Sequence, residues 1–76
     1  MCLSDLGVNE MCVISKLNSV GIMRRRLMDV GFLPGSTVLC FLSSPSGNPK
    51  AYLVKGSVIA LRNSDACDIE VELLWK

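Results

Sequence analysis

Between Gly21 and Gly35 the chain reads GIMRRRLMDVGFLPG, and few stretches leave a backbone less choice. On a helical wheel Val20, Met23, Leu27 and Val30 fall within one narrow arc, with Arg24, Arg25 and Met28 opposite. Asn18 and Ser19 stand where side-chain oxygens can accept from the free N–H groups of a first turn. Gly31 falls where a helix ends through a left-handed residue, a conformation that only glycine takes without a Cβ penalty. Phe32 is then placed to fold back over the last turn near Leu27, and Pro34-Gly35 reverses the chain. The stretch predicts one short amphipathic helix, a hard stop, and a turn into the next element.

The segments around it read as short strands. Leu3 to Gly7 is a turn capped by Ser4 or Asp5, with Leu3 and Leu6 reaching the core. Asn9 to Asn18 is the first strand, and the helix follows it directly. Ser36 to Ser43 is the second, with Val38, Cys40 and Leu42 on one face and Thr37, Leu39 and Phe41 on the other. Ser44 to Pro49 is a loop, since two prolines and a glycine forbid a regular ladder. Lys50 to Lys55 and Val58 to Arg62 form the third and fourth strands about a tight turn at Gly56. Asn63 to Asp68 is a helical turn capped by Asn63 or Ser64, with Ala66 and Cys67 inward. Ile69 to Leu74 closes the chain as a fifth strand, with Ile69, Val71 and Leu73 in, Glu70 and Glu72 out, and Trp75 at its end. The expected fold is mainly β: a small closed or half-closed barrel of about five strands with one helix inserted after the first, formed by residues 1–76 as one domain.

Charge and composition narrow the function. With eight basic and seven acidic residues the net charge is +1, so no long-range field steers the chain to nucleic acid or to anionic lipid. No apolar run approaches the roughly 18 residues of a membrane span, and Met1 to Gly7 lacks the pattern of an export signal, so a cytoplasmic protein without membrane insertion is expected. Half of the residues are hydrophobic, more than so small a core needs, which predicts apolar surface covered by a partner or, weakly, by a second copy. The four cysteines Cys2, Cys12, Cys40 and Cys67 show no CxxC spacing, and histidine is absent. Cys12 and Cys40 read as small buried residues, Cys2 as an exposed thiol. Catalysis finds no support: the sequence has no glycine-rich phosphate loop and no nucleophile beside a base. Asp65, Asp68, Glu70 and Glu72 cluster in sequence, but carboxylates on a strand's outer face are ordinarily solvated. No cofactor and no metal site are expected.

The residues of the opening stretch also carry a resemblance. Arg24-Arg25-Arg26-Leu27-Met28-Asp29-Val30-Gly31 with the Pro34-Gly35 turn, then Ala60-Leu61-Arg62, Ala66 and Ile69-Glu70-Val71, resemble the FeoA family of ferrous iron transport accessory proteins across nearly the whole chain. The resemblance implies an SH3-like barrel and a cytoplasmic bacterial protein, recruited to the inner face of the membrane by its partner, the iron transporter FeoB with its GTP-binding cytoplasmic domain. Its nearest alternative is a metal-sensing domain like the SH3-like end of DtxR-type repressors, although no helix-turn-helix segment accompanies it here.

Candidate contact residues follow. Arg24 and Arg25 can form bidentate pairs with acidic groups, or simply make a solvated helix face. Three consecutive arginines in a balanced total are too few for tight DNA binding. Met28 on the outer helix face, Phe41 or Leu39, and Leu53 or Tyr52 are expected to form an exposed apolar patch suited to a protein partner, or else to belong to the core. Ser46 and Asn48 stand in a loop that is either a connector or a recognition element. A proline-reading groove is disfavoured, because Trp75, Tyr52, Phe32 and Phe41 are spread apart.

Overall fold

The computed structural model describes residues 1–75, the side chain of Trp75 excepted. Five strands, β1 (Met11–Leu17), β2 (Thr37–Ser43), β3 (Lys50–Val54), β4 (Ser57–Leu61) and β5 (Ile69–Trp75), form one antiparallel sheet in the order β4-β3-β2-β1-β5. Helix α1 (Gly21–Asp29) joins β1 to β2, and the single turn α2 (Asn63–Ala66) joins β4 to β5. The chain opens with a 3-10 turn, Leu3–Asp5, whose Leu3 is buried together with Leu6. As expected there, Asp5 Oδ2 accepts from the Cys2 N–H at 3.1 Å.

Alternation places the core. Cys12 and Ile14 of β1, Val38 and Cys40 of β2, Tyr52 and Val54 of β3, and Ile69 and Val71 of β5 all face inward and are buried, joined by Leu27, Phe32 and Ala66. Cross-strand register puts the alternate residues on the other face, where Met11, Leu39, Leu53 and Val58 form one row across four strands. A register shift between Cys40 and Leu42 breaks the expected face of β2: Leu42 pairs with outward Ala51 and is exposed. Leu73 keeps the inner face, opposite buried Cys12, but is 40% exposed toward the end of β5. The segment covering the free edge of β5 reaches only Glu70 and Val71, through the Cys2–Glu70 bridge and the Val71 N–H donating to Met1 O at 2.7 Å. Cys67 faces out, its thiol bonded to Ser64 O at 3.1 Å.

The sheet is not closed: among the described residues β4 and β5 do not pair. Of the closed and half-closed alternatives, full closure is the one not taken, and the strand count and the inserted helix are as expected.

The helix ends as its sequence predicts. Phe32 N–H donates to Leu27 O at 2.9 Å and Gly31 N–H to Met28 O at 3.1 Å, a Schellman pair with Gly31 at φ +110°. The Ser36 N–H then donates to Leu33 O at 2.9 Å, closing the Pro34-Gly35 turn. The start of the helix differs. Val20 occupies the cap position in extended conformation with no side-chain acceptor, and neither Asn18 nor Ser19 fills that role. Asn18 instead turns its Nδ2 to Glu70 Oε2 at 2.6 Å.

Candidate partner-docking surface

Helix α1 carries three of the candidate side chains, Arg24, Arg25 and Met28. Its first turn is anchored to the sheet by Arg24, whose Nη1 donates to Leu17 O at the end of β1 at 3.1 Å. Gly21, Arg24, Arg25 and Met28 recur at helical spacing, so they share one side, and with Asp29 they line an open cleft of about 390 Å³. Met28 is half-buried against the core rather than fully on the outer face. It adds an apolar group to a cleft lined by two arginines. Such a combination suits a partner offering a carboxylate or phosphate next to an apolar side chain.

The apolar arc of the helix is narrower than the wheel suggests. Leu27 is buried and Met23 partly so, whereas Val20 is 81% exposed and Val30 lies at the rim. Val30 joins Met23, Arg26 and Leu27 in a second open cleft completed by Ile59, Ala60 and Leu61 of β4 and by Asp65. Sequence reasoning missed this groove. Its two walls are some thirty residues apart in the chain, and only the topology brings β4 beside α1.

The remaining candidates stand elsewhere. Phe41 is exposed at the β2 register shift, and Leu53 is half-buried on the sheet's outer surface, paired in register with Leu39. Tyr52 leaves this surface altogether: it is fully buried, its hydroxyl donates to Leu3 O at 3.4 Å, and burial pushes its pKa up. Ser46 and Asn48 are engaged within their own loop and beyond it. Ser46 Oγ donates to Asn48 O at 3.1 Å, and Asn48 Oδ1 accepts from the Asn63 N–H at 2.9 Å. Asn63 Nδ2 returns a bond to Gly47 O at 3.1 Å, so the loop is fastened to α2. None of these sheet and loop residues lines the Arg24–Arg25–Met28 cleft.

Among the described residues no three His, Cys, Asp or Glu side chains gather as ligands would. Cys12 and Cys40 are free and buried; burial, then the neighbouring Cys40, raises the Cys12 thiol to about 11, far from the thiolate that binds metals. No helix among the described residues is long and apolar enough to cross a membrane.

Comparison with known proteins gives this geometry a context. The chain is 34% identical over 74 residues to the Fe(2+) transport protein A/Fe(2+) transporter FeoB fusion protein of Porphyromonas gingivalis, covering 97% of this chain but spanning only 9% of that relative. It superposes on the solution structure of FeoA from Chlorobium tepidum with a TM-score of 0.91 at 28% identity, over 97% of this chain and 70% of that one. It also matches FeoA of Stenotrophomonas maltophilia, an SH3 domain protein solved with zinc, with a TM-score of 0.84 at 29% identity over 95% and 89%. The FeoA domain model matches residues 1–73, and the chain belongs to the FeoA family, the SH3-like domains linked to ferrous iron transport.

Proposed function

We propose that this chain is a non-catalytic accessory module of ferrous iron uptake that binds a FeoB-type transporter on its GTPase-bearing cytoplasmic part. The observation that carries the reading is the fused relative, in which a segment similar to nearly all of this chain is covalently joined to such a transporter. Fusion raises the effective concentration of two units, and it favours pairs whose function already requires contact.

The docking surface we assign is the α1 cleft of Arg24, Arg25 and Met28. A module of this kind acts by binding one state of its partner better than another, since equal affinity for both shifts nothing. The bound state would be one step of the transporter's nucleotide cycle, with an acidic group of the GTPase part paired to the arginines and an apolar side chain on Met28.

The test is co-purification of the separately expressed chain with the transporter. M28A combined with R25E is expected to lower capture by about tenfold or more, since it truncates the apolar anchor and reverses one charge. The far-ultraviolet spectrum should be unchanged, because Arg25 is exposed and Met28 only half-buried. Adding R24E should lower capture further and also cost some stability, since Arg24 holds Leu17 O. Undiminished capture of the folded double variant would remove this surface from the model.

A further inference from the structure

Val20 and Ile22 are 81% and 79% exposed, more than any other large apolar side chain among the described residues. They flank Gly21, which makes the turn into α1 at φ +62° and has open space on the side where a Cβ would stand. The two aliphatic groups therefore form a bare tip that none of the chain's own surface shelters. Arg25 lies one turn further on and shares a shallow cleft with Gly21 and Ile22. Arg24 lies beside it, and among the described residues only its Nη1 is engaged, leaving other guanidinium donors to meet a phosphate.

Exposed aliphatic groups at a helix start with arginines within the following turn suit the boundary between lipid headgroups and acyl chains. We propose that the Val20–Gly21–Ile22 tip docks on an anionic lipid bilayer, with Val20 and Ile22 entering below the headgroups and Arg24 and Arg25 on their phosphates. Charge complementarity selects this occupant. The helix carries one carboxylate, Asp29, about 10 Å along the axis from Ile22 but one turn from Arg25 in the same cleft, so it offsets one of the three arginine charges and leaves the helix cationic. To the other side stands Glu70, bound by Asn18 Nδ2 and opposite Lys16 in register, with Asp68 beside Asn18. These carboxylates and the net charge of +1 keep the attraction local, weak and sensitive to salt. The proposal stands without the docking to a transporter, and the vesicle arms of its test contain none.

The purified chain is sedimented with sucrose-loaded vesicles of equimolar phosphatidylcholine and phosphatidylglycerol. It is expected to bind them at low salt, to be released at high salt, and to bind pure phosphatidylcholine vesicles poorly. V20S/I22S should weaken binding by about tenfold or more, and R25Q by about fivefold. Thermal midpoints should stay unchanged, since these side chains are exposed. Should the double variant fail to fold, I22S alone is expected to weaken binding by about threefold or more. Absence of wild-type binding, equal binding to both vesicle types, or undiminished binding of V20S/I22S overturns the proposal. So does a V20S/I22S protein that loses capture by detergent-solubilised transporter yet keeps its vesicle binding, because the tip would then belong to a protein interface.

Discussion

At Gly31 the backbone runs at φ +110°, and an added Cβ would stand 2.6 Å from Lys55 Cγ and 3.3 Å from Lys55 Cβ. Gly35 is also left-handed, at φ +89°, but a Cβ there meets nothing within 4 Å. The pair separates backbone strain from crowding. Gly35→Ala should cost about 1–2 kcal/mol from conformation alone, and Gly31→Ala more than that, because Lys55 must also move; urea unfolding measures both. Lys50 offers another residue-level test. Its Nζ donates to Ser4 O at 2.7 Å and to Leu6 O at 2.9 Å, so Lys50→Met should destabilise by about 1–3 kcal/mol by leaving two carbonyls without their donor. Cys12 sets a pH limit. Its neutral thiol is favoured by folding, with a folded value near 11 against an ordinary 9.0, so its contribution is whole below pH 9 and drains away between pH 9 and about 11. Denaturation followed at several alkaline pH values should show that decline, and a neutral-pH thiol reagent should modify exposed Cys67 far faster than Cys12 or Cys40. Gly31 and Phe32 were legible in the sequence because a Schellman ending is local, needing only a few adjacent residues. Cys67 was not, since its direction depends on how far α2 turns before β5 begins.

At the scale of elements, what the sequence shows best is period, and what it shows least is which neighbour answers a free end. Strands β1, β2, β3 and β5 lie within a residue or two of their expected spans because alternation marks them. The caps of both helices were misassigned. At α1, Asn18 is drawn away by Glu70; at α2, Arg62 takes the cap position without a side-chain bond, and the first N–H is answered by Asn48 from fifteen residues away. No local rule finds such a partner. The bond has a consequence: Asn48→Ala should free the Ser44–Pro49 loop from α2, costing about 1 kcal/mol of stability and making that loop the first site of proteolytic nicking. Equal nicking patterns for both proteins under limited proteolysis would show that the remaining bonds around Ser44 and Gly47 hold the loop by themselves. The candidate site divides in the same way. Arg24, Arg25 and Met28 come together because helical spacing brings them together, whereas Phe41, Leu53, Ser46 and Asn48 were linked only by chemical type, and the topology distributes them over the sheet face and the loop.

For the molecule as a whole, the open seam between β4 and β5 is the feature that composition could not reveal. Five short apolar strands predict closure because closure removes edges, yet hydrogen-bond pairing depends on how tightly the sheet curls, which no periodicity records. The two edges left by the seam are protected unequally. The β5 edge is bridged near Glu70 and Val71 by the first two residues. The β4 edge, Ser57–Leu61, carries no charge and no proline, and Val58 on it is 52% exposed. A strand of this kind is a template for pairing with another chain, most of all while the protein is refolding and the edge is uncovered. Val58→Lys should therefore lower the light scattering that develops during refolding at high protein concentration, with a stability change within about 1 kcal/mol, since the side chain is half-exposed and its partner Leu53 keeps Leu39 beside it. If scattering is unaltered while the variant folds normally, the aggregation-prone surface lies instead on the outer row through Met11, Leu39 and Leu53, and a charge at Leu53 should then suppress it where the charge at Val58 did not.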